Sequence, residues 1–478
     1  MDTKITISNS KIEFGTSGAR GLVVDFSTEV VFSFVLNFIK HMEQSYSFSS
    51  VAIGIDNRPS SYSIAQACAS AIQEAGYNVE YYGVLPTPAL ALQGIAHKIP
   101  SVMVTGSHIP FNRNGLKFYT PEGEINKQDE LAICNNSFEF EFKPIDFPKL
   151  SESSKAKDFY IERYTKLFPE NFLLGKKIGI YEHSSSGRDV YSKLFTRLGA
   201  EVKSLERSDI FVPIDTEAVS IVDRDKAREW SKRYGFDAIF STDGDGDRPL
   251  VADESGEWLR GDILGLLCAH ALNVEAIAIP ISCNSAIEKS QYISKVIRTK
   301  IGSPYVIDAF SLLLQNHRTV AGFEANGGFL LGSGIHFNNE FLQALPTRDA
   351  VLPFLMLMYL AQTTPISTHV LQLPQRYSAS NRVTDFSKEK CNSVLHSVLN
   401  NPSDFISKVL GVTVEVEGID QTDGIKMALS SGDFVHLRPS GNAPEFRCYT
   451  ESATVDNAEF NLKKIIDFLE NYNKDIES

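Results

Sequence analysis

The sequence predicts an α/β protein built as three α/β units in series, followed by a smaller α+β unit. Three observations carry this. Strand-like apolar runs alternate with helical patterns, which is the signature of α/β layers. The alternation restarts after the polar stretch Ser151-Glu152-Ser153-Ser154-Lys155 and again after Gly261-Asp262, and its character changes after Pro374. A chain of 478 residues is also too long for one ordinary core, and its length suggests roughly three or four domains.

In the first unit, Val51–Ile55 reads as a strand, and Ser60 or Ser61 caps a helix running to Glu74. Val79–Tyr82 is the next strand, Pro86-Thr87-Pro88 opens a helix, and Ser101–Val104 is a further strand. This alternation predicts a parallel layer. In the second unit, Lys177–Tyr181 is a strand, a helix starts at Ser186 or Asp189 and ends at Leu198-Gly199, and Glu201-Val202 leads into the next strand. Ala238–Phe240 is another. In the third, Ala276–Ile281 and Val320–Gly322 are strands, and helices are expected over Ser303–Gln315 and Arg348–Ala361. In the last, Phe434–Arg438 and Glu445–Tyr449 are strands around a tight loop. A final helix is expected to bury Phe460, Leu462, Ile465, Ile466, Leu469 and Tyr472.

Composition is that of a soluble globular protein. A formal net charge of −13 argues against a nucleic-acid or anionic-membrane partner, so an anionic ligand needs local positive charge. Six scattered cysteines without CxxC spacing fit reduced thiols of the cytoplasm better than a disulfide frame or a zinc site. The N-terminus carries no basic-then-apolar leader. The apolar run 351–361 is too short to span a bilayer and reads as a buried helix.

The densest chemical signal is Asp243-Gly244-Asp245-Gly246-Asp247-Arg248, directly after a strand. Alternate side chains of an extended strand stand about 6–7 Å apart, too far to meet at one small ion. Glycine lets the backbone curl, and converging Asp oxygens suit a hard cation such as Mg²⁺. An ordinary Asp/Gly surface turn competes with this reading. A calcium EF-hand fits poorly: Arg248 stands where that loop needs glycine, although Glu254 matches its twelfth position.

Three other loops carry candidate chemistry. Thr105-Gly106-Ser107-His108-Ile109-Pro110, with Asn114-Gly115-Leu116-Lys117 beyond it, leaves the strand ending at Val104. Ligands favour such strand ends. There Ser107 can carry a phosphoryl group, and His108 and Lys117 can stabilise charge or move protons. A GxSxG elbow is a poor match, since Thr105 and Ile109 stand where it needs glycine. In Gly322-Phe323-Glu324-Ala325-Asn326-Gly327-Gly328, Glu324 and Asn326 can address neighbouring sugar hydroxyls. In Arg438-Pro439-Ser440-Gly441-Asn442-Ala443-Pro444, with Arg447 beyond, backbone N–H groups, small polar donors and two arginines suit phosphate.

Together these loops, with Phe14–Gly21, resemble the α-D-phosphohexomutases, and the resemblance runs along essentially the whole chain. Gly54–Ser61 and Lys300-Ile301-Gly302 are further matching stretches. The resemblance implies three similar mixed-sheet α/β domains plus a C-terminal α+β domain around a central cleft, with divisions at 1–150, 151–257, 258–373 and 374–478. It implies that Ser107 is a phosphoserine and that Mg²⁺ is held by its phosphate with Asp243, Asp245 and Asp247. His108, Lys117, Arg20 and Arg248 then lie beside it. Glu324, Asn326, Lys300 and Gly302 fall at the sugar, and Arg438, Ser440, Gly441, Asn442 and Arg447 at the distal phosphate. Departures from the family pattern are Gly106 and Ile109 in place of Ala and Asn, Asn326 and Gly328 in place of Ser and His, and Asn442-Ala443 in place of Thr-Glu. These bear on which sugar is used.

The implied reaction moves phosphate between O1 and O6 of one hexose through a hexose 1,6-bisphosphate, which also serves as activator. Such transfer needs charge neutralisation and in-line positioning. Lys117 can take the hydroxyl proton if desolvation or nearby cations lower its pKa. Mannose phosphate is the first-ranked substrate, then glucose, then glucosamine or acetylglucosamine phosphates. Two other classes stay open: a Mg²⁺-dependent sugar phosphatase and a non-catalytic sugar-phosphate sensor. The expected partners are small hexose phosphates, in a cytoplasmic monomer or homodimer.

Overall fold

The computed structural model describes residues 1–15, 18–140, 149–440 and 444–475, with side chains to 472. Gly441 and Asn442, expected at the distal phosphate, lie outside the described residues. Four larger sheets follow one another along the chain. The first has the order Glu13–Phe14, Ala19–Leu22, Arg113–Thr120, Ser101–Val104, Ser50–Ile55, Asn78–Val84, with Gly123–Glu124 beside Arg113–Thr120. The second runs Pro249–Ala252, Ala238–Thr242, Lys177–Tyr181, Glu201–Leu205, and the third Lys295–Thr299, Ala276–Pro280, Val320–Phe323, Phe329–Leu331, Leu345–Asp349. The fourth is wholly antiparallel: Tyr377–Thr384, Glu445–Ser452, Phe434–Pro439, Ile425–Leu429, Val416–Asp420.

The parallel layer expected in the first unit is mixed. Ser101–Val104 runs parallel to Ser50–Ile55, but Arg113–Thr120 returns antiparallel to Ser101–Val104. The connection is residues 105–112, too short for the crossover of a dozen or more residues that parallel strands require. The same local geometry recurs. Ala238–Thr242 turns into antiparallel Pro249–Ala252, and Val320–Phe323 into antiparallel Phe329–Leu331. Phe434–Pro439 turns into Glu445–Ser452. Each candidate loop is therefore a strand-to-strand turn.

Two further expectations are corrected. The helix expected from Arg348 begins at Val351, because Leu345–Asp349 pairs as a strand with Phe329–Leu331. Phe460, assigned to the buried face of the last helix, is 49% exposed. At 100° per residue it points about 140° away from Ile465, which is buried with Ile466 and Leu469. The apolar helix Val351–Leu360 is buried along residues 351–358, as a helix without a polar face must be.

One hydrophobic core joins the first three sheets, with Leu90, Tyr119, Tyr160, Phe195, Phe240, Phe323 and Phe354 among its members. Phe240 and Phe354 meet at 4.8 Å across the second and third units. The fourth sheet has its own core around Phe386, Leu437, Phe446 and Leu469. Its contacts with the third unit include polar ones: Asn284 Nδ2 donates to Ser378 Oγ, Lys426 Nζ to the Ile281 carbonyl, and the Ile301 N–H to Asp423. All six cysteines are free thiols. Among the described residues no helix is long and apolar enough to cross a membrane.

Candidate active site

Ser107 sits two residues past its turn's first residue and has φ +55, a left-handed conformation that serine adopts only at a cost. Its N–H donates to Thr105 Oγ1 at 2.8 Å, which helps hold that conformation. Its side chain is fully buried, and Oγ donates to Asp243 Oδ2 at 2.7 Å. Nδ1 of His108 lies 3.5 Å from the same oxygen.

Asp243, Asp245 and Asp247 converge as the glycine spacing requires. One carboxylate oxygen from each lies within 4.8 Å of the others, and all three residues are buried. Gly246 takes φ +73, the turn that no side chain would favour. The surrounding cations come from strands of the first and third sheets. Lys117 Nζ lies 2.6 Å from Asp245 Oδ2 and 2.7 Å from Asp247 Oδ2. Arg348 Nε donates to Asp247 Oδ2 at 3.0 Å, and its Nη1 reaches Glu324 Oε2 at 3.2 Å. Thr87 donates to Asp245 at 2.7 Å.

The charges settle unevenly. Burial and the two neighbouring carboxylates push Asp243 well above the usual carboxylate range. Burial also works to raise Asp245, but Lys117 and the Thr87 hydroxyl outweigh it and hold Asp245 low. Burial opposed chiefly by Arg348 leaves Asp247 low as well. Oδ1 of Asp245 and Oδ1 of Asp247 are buried with no hydrogen-bond partner. Buried carboxylate oxygens without partners are costly, and a hard cation is what such a donor set accommodates. The residues present therefore fit a divalent ion.

Burial and the arginines Arg248, Arg20 and Arg447 press His108 well below its ordinary value, so its imidazole is neutral. Arg248 Nη1 lies 3.0 Å from His108 Nδ1. Arginine can only donate, so Nδ1 accepts and the ring proton sits on Nε2. Arg20 shares this cationic corner, as burial and Arg248 act on it together.

The sugar-loop residues are buried, but their bonds differ from expectation. Glu324 is held by Arg348, whereas Asn326 Oδ1 accepts from the Gly328 N–H and so closes its own turn. Gly302, at φ +130, precedes the helix Ser303–Leu313, and Lys300 is exposed with Nζ 5.8 Å above the Tyr305 ring. Arg438 Nε approaches Asp423 Oδ1 at 3.3 Å, and Asp423 also accepts from the Ile301 N–H. The Lys300–Gly302 stretch and Arg438 are thereby tied together through Asp423. The Ser440 N–H donates to the Glu445 carbonyl at 2.8 Å.

Two residues beside the candidate turns escaped sequence reasoning. Arg348 links the metal turn to the sugar turn, yet reads as a helix start. Arg382 stands opposite Arg447, which stands opposite Arg438, across three adjacent strands. Directly opposed residues share a face. A cavity of about 240 Å³ beside this row is lined by Asp215, Glu217, Ser380, Asn381, Arg382, Arg447 and Tyr449. The signal for Arg382 was available only after strand pairing was known. A larger cavity, about 740 Å³ beside the last helix, contains none of the motif residues.

Residues 11–143 match phosphoglucomutase/phosphomannomutase alpha/beta/alpha domain I, and residues 260–377 match domain III. A phosphomannomutase of Salmonella muenchen is 55% identical over 457 residues, covering 96% of this chain and 95% of that protein. The chain belongs to the α-D-phosphohexomutase family. It is an enzyme of that isomerase class. A phosphomannomutase of Sinorhizobium fredii is 41% identical over 94% of this phosphohexomutase and 96% of its own length. In fold, the phosphohexomutase resembles a phosphoglucomutase/phosphomannomutase family protein of Burkholderia thailandensis, with a TM-score of 0.72 at 17% identity over 96% of this chain and 97% of that one. It also resembles an N-acetylphosphoglucosamine mutase of Aspergillus fumigatus solved with GlcNAc-6P and magnesium, with a TM-score of 0.59 at 14% identity over 99% of this chain and 98% of that one.

Proposed function

We propose that this enzyme interconverts mannose 6-phosphate and mannose 1-phosphate, using Ser107 as the phosphoryl carrier. The observation that carries the reaction type is the Ser107 hydroxyl, buried and 2.7 Å from Asp243 in an acidic triad with bare oxygens. A phosphoryl group on that oxygen would face a carboxylate and needs a cation between them. The sugar is assigned from the two phosphomannomutases that match nearly the whole chain. Four units, 1–150, 151–257, 258–373 and 374–478, are taken to enclose the substrate.

Asp243, Asp245 and Asp247 would hold Mg²⁺ with the Ser107 phosphate, and the ion when bound neutralises charge on the transferring group. The chain's own residues do the rest. The P–Oγ bond of phosphorylated Ser107 breaks as a sugar hydroxyl oxygen bonds to phosphorus. The hydroxyl proton goes to Nζ of Lys117 in its neutral amine form, the only form of that side chain with a lone pair to take it. His108, kept neutral, holds Arg248 through Nδ1 and offers Nε2–H to a phosphoryl oxygen. Glu324 meets the sugar hydroxyls, while Arg438 and Arg447 grip the distal phosphate with Ser440. The hexose 1,6-bisphosphate then turns end for end and its other phosphate returns to Ser107. Burial of Ser107 keeps water from the phosphoserine.

Coupled assays with mannose, glucose and glucosamine phosphates, each with Mg²⁺ and a trace of hexose bisphosphate, test this reading. The mannose phosphates should have the largest kcat/KM. A higher value for glucose or glucosamine phosphate would reassign the sugar, and release of inorganic phosphate in place of isomerisation would make the enzyme a phosphatase.

A further inference from the structure

Arg58 lies in the Gly54–Ser61 stretch and has no part in the chemistry above, yet its bonds converge on the serine turn. A guanidinium has five N–H donors in a rigid fork. Arg58 spends all five. Nη2 donates to the Ser107 carbonyl at 2.8 Å and to that of Ile109 at 2.6 Å. Nη1 donates to the carbonyls of Pro110 at 2.7 Å and Arg113 at 3.1 Å. Nε donates to Asp56 Oδ2 at 3.1 Å. Asp56 is in turn fixed by the hydroxyls of Ser61 at 2.6 Å and Thr105 at 2.7 Å. Thr105 is the residue whose oxygen takes the Ser107 N–H. Ser107 is thus gripped at both its N–H and its carbonyl by one continuous network rooted in Asp56 and Arg58. From the second unit, the Phe211 ring lies 4.0 Å from the guanidinium carbon and closes it in.

Gly106 belongs to the same device. A Cβ there would stand 2.6 Å from the Arg58 guanidinium carbon and 2.7 Å from Nε. Those atoms are pinned by five hydrogen bonds and a ring, so the alanine of the family pattern, set on this turn as it stands here, would press on the fork. We propose that Arg58 is the positioning residue of the carrier serine. Its fork sets the path of residues 107–113 and hence where Ser107 Oγ stands, and the missing side chain at 106 admits it. The inference rests on Ser107 being the carrier. A carrier oxygen misplaced by about 1 Å costs on the order of 10²-fold in rate, while groups that grip the distal phosphate are untouched.

The test compares Arg58→Lys, Gly106→Ala and the double variant with wild type, using mannose 1-phosphate, Mg²⁺ and a trace of mannose 1,6-bisphosphate. Lysine keeps the charge but has three donors and no fork. Each single variant should lose about 10²-fold in kcat while KM stays within about twofold. The double variant should be no slower than the worse single one, because both act through one contact. Hydrogen exchange of the amides in residues 105–113 should rise in both, with the other turns unchanged. Near wild-type kcat in Arg58→Lys, or losses that multiply in the double variant, would overturn the inference. If Arg58→Lys does not fold, Gly106→Ala alone decides by the same split between kcat and KM. If wild type fails to isomerise the sugar phosphate, the functional reading falls, and unchanged exchange at 105–113 would separately sink the positioning role.

Discussion

Asp245 uses one carboxylate oxygen for Lys117 and Thr87 and leaves the other buried and bare. That asymmetry suits a cation ligand, with one oxygen fixed by the protein and the other left to the ion. Asp245→Asn keeps the shape and removes the charge, so Mg²⁺ affinity should fall at least about tenfold, read by calorimetric titration of the whole enzyme. Unchanged affinity would remove Asp245 from the metal set. The carboxylates, Ser107 and His108 were legible in the sequence because glycines and strand ends mark where side chains converge. Arg348 was not. Its importance comes from two turns far apart in sequence, Asp247 and Glu324, which only the folded chain brings to its two ends. Asn326 was legible as a loop residue but not as one that spends its oxygen closing its own turn.

At the scale of elements, the candidate turns share one construction: a strand enters, a short turn displays chemistry, and an antiparallel strand leaves. Strand positions were largely legible from apolar runs; Ser101–Val104 and Lys177–Tyr181 are found as expected. Pairing direction was not, since it depends on connection length and partner choice rather than on local composition. The arginine row of the fourth sheet shows the consequence. Three like charges in cross-strand register are unfavourable unless anions lie among them. Asp423 and Glu445 partly serve Arg438 and Arg447, and Arg382 has Glu445 at 3.6 Å and Asp215 at 3.9 Å. These last contacts are long and partly exposed, which leaves Arg382 open to a phosphate. Arg382→Gln should raise KM for mannose 1-phosphate about three- to tenfold with kcat little changed. Steady-state kinetics that leave KM unmoved would exclude it from the grip.

For the whole molecule, buried histidines set an acid limit. His183 Nε2 donates to the Thr242 carbonyl and His436 Nε2 to the Asp423 carbonyl, and each Nδ1 is buried without a partner. Protonating either puts an unpaired charge in the interior, and burial accordingly lowers both to about 4 from 6.5. Above 6.5 neither folded nor unfolded chain binds these protons, and stability is complete. As pH falls below 6.5, the unfolded chain takes protons that the folded one refuses, so stability is lost down to about 4. Near pH 5 the two should together cost about 4 kcal/mol. Urea unfolding at about pH 7 and pH 5 checks this, and His436→Gln should flatten the slope. Equal stability at both pH values would contradict it.

The enzyme as a whole carries a net charge of −13 yet gathers Lys117, Arg248, Arg348 and the distal arginines near its candidate turns. That local reversal of sign suits a sugar phosphate whose phosphoryl group is moved without being lost. The most direct measurement is phosphorus NMR of mannose 1-phosphate incubated with the enzyme, Mg²⁺ and a trace of mannose 1,6-bisphosphate, alongside Ser107→Ala. The expected result is growth of mannose 6-phosphate with no inorganic phosphate, and none in the alanine variant. Inorganic phosphate accumulating as the main product, or equal isomerisation by Ser107→Ala, would contradict the role given to this serine.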